Sequence, residues 1–205
     1  MTLETIRYAT PDDAPAIQAI YAPYVENTTI SFELEPPDVD EMRQRITKTL
    51  VTHPWLVYVS PSGELCGYAY ATKNRDRLAY QWSVDVSVYV ASSGHRQGIG
   101  RALYTALFDI LRVQGFYNAF AGIALPNDAS IGVHRAFGFQ PAGVLPMVGY
   151  KLGQWRDVSW YSLTLQPYAD DPVPPRLTVE IEGTPEVTAA LQRGLDLIVS
   201  RRTRA

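Results

Sequence analysis

Val88-Tyr-Val-Ala-Ser-Ser-Gly-His-Arg-Gln-Gly-Ile-Gly-Arg-Ala-Leu103 decides the fold of this 205-residue chain. An apolar run ends in a tight, glycine-containing turn, and an amphipathic helix begins directly after Gly98 and Gly100. A strand that feeds a helix this way aims several unpaired backbone N–H groups at one point, with the helix dipole behind them. The result is an anion site, most naturally one for a pyrophosphate. A side chain at Gly98 or Gly100 would keep the phosphate from the backbone. Taken alone, the same residues also read as an ordinary strand-to-helix turn. Two phosphate-binding rivals fail on spacing. The stretch lacks the Gly-Lys-Ser/Thr ending of a P-loop, and it lacks both the third glycine and the acid about 20 residues on that a dinucleotide fold requires.

Working outward, a chain 46% hydrophobic and 19% charged suits one compact domain with room for little more than an appendage. A net charge of −3 gives no electrostatic footprint for nucleic acid. No apolar run approaches the roughly 18 residues of a membrane span, and Met1-Thr-Leu-Glu-Thr5 does not open a signal peptide. The single cysteine, Cys66, rules out an intramolecular disulfide and offers no metal cluster. It lies in the alternating segment Glu64-Leu-Cys-Gly-Tyr-Ala-Tyr70 and reads as a buried thiol in a strand. A cytoplasmic protein is expected, with no metal and with neither nucleic acid nor membrane as partner.

The flanking elements are consistent with a mixed α/β sheet. Ile6-Arg-Tyr8 predicts a first strand, and Pro11-Asp-Asp13 a helix start continued by Ala14, Ile17 and Tyr21. Val39, Met42, Ile46 and Leu50 mark a second helix. Residues 55–60 and 65–72 predict a hairpin, and 80–90 a long central strand covered on both faces. After the glycine turn, Ala102, Leu103, Ala106, Leu107, Ile110 and Leu111 form one stripe. A strand over 116–123, a short helix over 130–137 and two last strands follow. A Pro-rich linker over 167–175 leads to a tail, dividing the chain into residues 1–167 and 168–205. In the tail, Leu177 to Glu182 alternates like a strand. Thr184 and Pro185 open a helix lined by Val187, Leu191, Leu195 and Ile198, and Arg201 and Arg202 close it at its negative end. One strand and one helix bury too little to fold alone, so the tail is expected to dock on the main domain or a neighbouring subunit.

The glycine turn resembles motif A of the GNAT superfamily, whose members pass an acetyl group from acetyl-CoA to an amine. Asn127-Asp-Ala-Ser130 followed by His134-Arg-Ala-Phe-Gly-Phe139 is similar to a later segment of the same superfamily. Val148-Gly-Tyr-Lys-Leu-Gly-Gln-Trp-Arg-Asp-Val158 and Tyr24-Val-Glu-Asn-Thr-Thr-Ile-Ser-Phe-Glu-Leu-Glu-Pro36 resemble its phosphinothricin N-acetyltransferase branch. The resemblance spans residues 3–167. It implies a GNAT fold with a mostly antiparallel sheet, acetyl-CoA as cosubstrate, a small amino-acid-like amine as acceptor, and a homodimer. A GNAT acting on a polyamine, an aminoglycoside or a protein terminus, and a non-catalytic acyl-CoA-binding module, remain open alternatives.

By this resemblance, the backbones of Val88, Tyr89 and Val90 pair with the pantetheine arm, and those of Arg96, Gln97, Gly98, Ile99, Gly100, Arg101 and Ala102 cradle the pyrophosphate. His95 stands where many relatives carry Arg or Gln, and reads either as a phosphate contact or as a solvated loop residue. Asp85 is the sharpest candidate from the residues themselves, because an unpaired carboxylate in Trp82-Ser-Val-Asp-Val-Ser-Val88 is expensive. Relatives place a glutamate there as general base, and burial raises a carboxyl pKa toward that work. The structural alternative caps a neighbouring backbone group or pairs with Arg77. Ser130 and His134 share one helix face. The resemblance sets His134 near the thioester, where it would orient a water or protonate the thiolate, while a satisfied core histidine reads equally well. No tyrosine lies between Asn127 and Phe139, so the general acid stays open. Asn127 is a pantetheine contact or a plain helix cap. Arg75, Arg77 and Tyr80 are implied to grip an acidic group of the substrate, with Phe32 and Glu33 on the loop that closes over it. A solvated turn is the alternative for the two arginines, and Tyr21, Tyr24, Trp55, Trp155 and Trp160 read mainly as core.

Overall fold

The computed structural model describes the backbone of residues 4–202 and the side chains of residues 4–200. One seven-stranded sheet runs through it in the order β1-β2-β3-β4-β5-β7-β6. Its strands are β1 (Thr5–Tyr8), β2 (Trp55–Val59), β3 (Leu65–Lys73), β4 (Ser83–Val90), β5 (Asn118–Ala124), β6 (Gln140–Lys151) and β7 (Gln154–Thr164). Every neighbouring pair is antiparallel except β4 with β5. Helices α1 (Ala14–Asn27) and α2 (Val39–Thr52) cover one face. Helix α3 (Ile99–Gln114) covers the other, and α4 (Asp128–Ala136) packs beside it through His134 and Tyr104. The expected mixed α/β sheet is present.

Helix α3 is the anchor. Its buried stripe holds Leu103, Leu107, Ile110 and Leu111, each fully covered. Full burial of each such side chain contributes about 1.5–3 kcal/mol, enough together to fix the helix and hence the position of its N-terminus. Alternation along β4 sends Val84 and Val86 toward α3, and Asp85 and Tyr89 toward α1 and α2.

Two expected elements differ. The strand anticipated from Tyr80 begins at Ser83, and Leu78–Tyr80 form a single 3-10 turn. Pairing starts only where β5 and β3 supply partners, at Ser83 opposite Asn118 and Val84 opposite Lys73. The Trp82 carbonyl is already taken by the amides of Tyr117 and Asn118. In the tail, Leu177 to Glu182 is not a strand: Thr178–Ile181 form a helical turn, α5. The Glu180 carboxylate accepts the Leu177 amide at 2.7 Å, and the buried Thr178 and Ile181 stand at i, i+3. Local capping therefore outweighs the period-two pattern. Helix α6 (Pro185–Arg202) forms as expected and docks on α3 of the same chain, burying Val187, Ala190 and Ile198. The Arg201 and Arg202 side chains, expected at its dipole end, lie outside the described residues, as do Met1, Thr2 and Leu3. Trp155 departs from the aromatic core set and stands 60% exposed on β7.

Candidate active site

Strands β4 and β5 part soon after they meet. Their parallel register covers Ser83 to Asp85 against Asn118 to Phe120, after which β5 pairs with β7 alone. From Val86 to Val90 the β5 side of β4 is open, while its other side stays paired with β3. The Val88 and Tyr89 backbones thus border a gap. The Val90 carbonyl is engaged, accepting from the Tyr24 hydroxyl at 2.7 Å and lying 3.1 Å from Nε2 of His95. His95 is exposed, but its ring turns back toward Tyr24, at 3.2 Å, and the sheet.

The gap runs into the N-terminus of α3. Gly98 is the N-cap residue at φ 86°, ψ 3°, a left-handed conformation that glycine adopts without the Cβ penalty, and no side chain caps the helix. The first-turn amides of Ile99, Gly100 and Arg101 are therefore left for an anion. Arg96 also has positive φ, at 64°, while Gln97 folds its side chain onto the Ser93 carbonyl. Ala102 starts the intrahelical ladder by donating its amide to Gly98. A Cβ on Gly100 would make only ordinary contacts with Val88 and Val90, so packing against the chain does not demand that glycine.

Asp85 is the last β4 residue paired with β5, with Thr72 across on β3 and Phe120 across on β5. Asn74 Nδ2 donates to Oδ1 of Asp85 at 2.6 Å. Burial raises the carboxyl pKa above the ordinary aspartate value, and the Asn74 hydrogen bond and the Arg75 charge offset part of the rise. The partner is thus Asn74, with Arg75 nearby, rather than Arg77. Arg75 lies over the Trp160 ring, 5.7 Å from its centroid, and donates to the Asn74 carbonyl. Arg77 and Tyr80 stand exposed on the turn before β4. Asp76 pairs with Lys73 at 3.5 Å and leaves both arginines alone.

The loop after α1 approaches the same face. Phe32 lies against Gly149 of β6. Glu33 is already bonded: Arg45 donates to its two oxygens at 2.7 and 3.2 Å, and the Tyr21 hydroxyl at 3.0 Å. It therefore fixes the loop.

His134 sits on the α3 side, 5% exposed. Its Nδ1 is 2.8 Å from the Ser130 carbonyl, a bond that requires the proton on Nδ1, so Nε2 accepts from the Tyr104 hydroxyl at 3.2 Å. Burial lowers its pKa and keeps the ring neutral. The Ser130 hydroxyl is 3.4 Å from the same Nδ1. The Asn127 side chain accepts the Ser130 amide at 3.1 Å and caps α4. Sequence reasoning missed Asn74, Tyr104 and Arg45, because each acts through a partner distant in the chain.

A family model described as an acetyltransferase (GNAT) domain matches residues 6–160. The chain belongs to the GNAT acetyltransferase family. A phosphinothricin N-acetyltransferase of Alcaligenes faecalis is 46% identical over 157 residues, covering 75% of this chain and 78% of that protein. An L-methionine sulfoximine/L-methionine sulfone acetyltransferase of Pseudomonas aeruginosa is 36% identical over 169 residues, 82% of this chain and 98% of that one. A solved GNAT superfamily phosphinothricin acetyltransferase from Sinorhizobium meliloti, in complex with AcCoA, superposes with a TM-score of 0.78 at 31% identity. It covers 86% of this chain and 99% of its own. This GNAT enzyme is an N-acetyltransferase, and the β4–β5 gap with its uncapped α3 N-terminus is where its motif A residues converge.

Proposed function

We propose that this GNAT enzyme acetylates the amine of a small amino-acid-like substrate, of the phosphinothricin, methionine sulfoximine or methionine sulfone type, using acetyl-CoA. One observation carries the reading. Asp85, a half-buried carboxylate with a raised pKa, sits where β4 and β5 part, with Arg75 beside it. A carboxylate poised this way takes a proton from a substrate ammonium, and the neighbouring guanidinium holds the substrate's acidic group by paired hydrogen bonds. Acetyl-CoA supplies the activated thioester. The left-handed Gly98, the bare first turn of α3 and the open edge of β4 fit its pyrophosphate and pantetheine arm. To Arg77 and Tyr80, exposed on the turn before β4, and to Phe32, on the loop after α1, this reading assigns the remaining contacts with the amine substrate.

A thiol-release assay with acetyl-CoA and an amine panel tests this. Turnover of phosphinothricin or methionine sulfone well above that of spermidine or kanamycin is expected, and a cationic amine as the best substrate overturns the pocket. We further propose a cytoplasmic homodimer and a two-part chain, residues 1–167 and an appended 168–205. The exposed apolar side chains of Val144, Leu145, Met147, Val148 and Trp155 on the β6–β7 hairpin support the dimer. Light scattering that returns a monomer at micromolar concentration refutes it. Among the described residues, no helix is long and apolar enough to cross a membrane.

A further inference from the structure

Lys151 is a buried cation that the proposed chemistry leaves unused. It is 5% exposed at the end of β6, and its Nζ donates to the Val25 carbonyl at 2.5 Å and the Ser31 carbonyl at 2.7 Å. Val25 belongs to the last turn of α1, whose carbonyls have no partner within the helix and carry its negative dipole end. Ser31 lies in the loop that follows. One ammonium thus ties both ends of the turn between α1 and that loop. Two residues earlier on β6, a Cβ placed on Gly149 would lie 2.1 Å from Cε2 of Phe32, so the ring rests directly on the glycine. A bulge between Leu145 and Gly149 sets this up. Met147 turns to φ 44° with its amide on Oδ1 of Asp157, 2.8 Å away, and the strand is re-aimed beyond it. The two-residue turn Leu152-Gly153, both at positive φ, then makes Lys151 the last strand position.

We propose that Gly149 and Lys151 form a clasp holding the loop of Thr28 to Glu35 over the amine pocket, which makes Lys151 a positioning residue for amine binding. The proposal rests on the acetyltransferase reading and deepens it. Bonds from α1 and α2, Tyr21 to Ser31 at 2.8 Å and Arg45 to Glu33, hold the loop on that side. The clasp joins it across to β6 and sets where the Phe32 ring stands.

The test uses the full chain with Lys151→Met, Lys151→Arg and Gly149→Ala, with phosphinothricin as amine. Lys151→Met and Gly149→Ala should each raise the amine KM by about tenfold, leaving kcat and the acetyl-CoA KM within about twofold. Lys151→Arg, which keeps a cation, should fall between them and wild type. Amide exchange over residues 28–35 should quicken in the first two, with α3 unchanged. A wild-type amine KM in both, or equal losses in every kinetic constant with faster exchange throughout, overturns the clasp. Should Lys151→Met fail to fold, Gly149→Ala decides alone, because it leaves the cation in place. Should the wild type acetylate no amine, the functional reading fails, and exchange over 28–35 still decides the clasp.

Discussion

Asp85→Asn separates the proposed base from a structural carboxylate. The substitution preserves shape, and the amide oxygen can still accept the Asn74 bond now made at 2.6 Å, so the fold should survive. What it removes is the proton acceptor. Loss of general-base assistance costs about 10²–10⁴-fold in turnover, equivalent to roughly 3–5 kcal/mol of barrier. The acetyl-CoA Kd should hold, since the α3 N-terminus is built from backbone. Stability supplies an independent sign. Burial raises the folded pKa of Asp85. The contribution of this group is therefore fully present below the unfolded aspartate pKa and is lost as pH rises through the raised value. At pH 7 wild type carries a disfavoured charge that Asn lacks, so Asp85→Asn should melt higher than wild type there, and the gap should close as pH falls toward 4. Steady-state kinetics beside thermal melts at pH 7 and 4 read both effects. Full turnover in the variant, or a lower Tm at pH 7 than wild type, refutes the reasoning.

Gly98→Val forces a β-branched residue to φ 86° and should abolish the rise in Tm that saturating acetyl-CoA gives wild type; an undiminished rise would remove the glycine turn from the site. Gly194→Leu should loosen α6, because even a Cβ there would lie 2.7 Å from the Ala102 carbonyl and 3.0 Å from Ala106 Cβ on α3. Overpacking of this kind costs about 1–3 kcal/mol, readable as a lower urea midpoint, and an unchanged midpoint would refute the tail's docking. His53 stacks on Phe116, and burial pushes its pKa down to about 4 from 6.5. Its contribution is present above pH 6.5 and lost as pH falls toward 4, so His53→Gln should flatten the acid limb of the stability profile.

The legible part of this protein is the part set by local periodicity. The stripe of α3, the glycine turn and the β2–β3 hairpin could be read because each residue's role depends on neighbours within a few positions. The tail failed at Leu177 to Glu182 for a related reason. A period-two pattern needs a sheet edge to pair with, and the Glu180 cap on Leu177 with Gln114 beside Thr178 gives those residues a helical alternative. Asp85 stood out because a charge in an apolar strand demands an account, whereas its partner Asn74 gave no signal. Lys151 lay in a quoted motif without a role, since the carbonyls it satisfies are more than a hundred residues away in sequence.

The two titratable candidates also divide between the faces of the sheet: alternation along β4 sets the side of Asp85, and the packing of α4 on α3 sets that of His134. Asp85 points to the side of α1 and α2, where the amine loop and Arg75 are, whereas His134 is held by Tyr104 and Ser130 on the side of α3. The gap that opens where β5 leaves β4 begins directly after Asp85. If Asp85 is the base proposed above, it and the neutral histidine act from opposite faces of the sheet. His134 stands with Nδ1–H on a backbone carbonyl and Nε2 on a phenol. Any proton taken up at Nε2 would therefore have to displace the hydrogen bond from the Tyr104 hydroxyl, which is fully buried on α3.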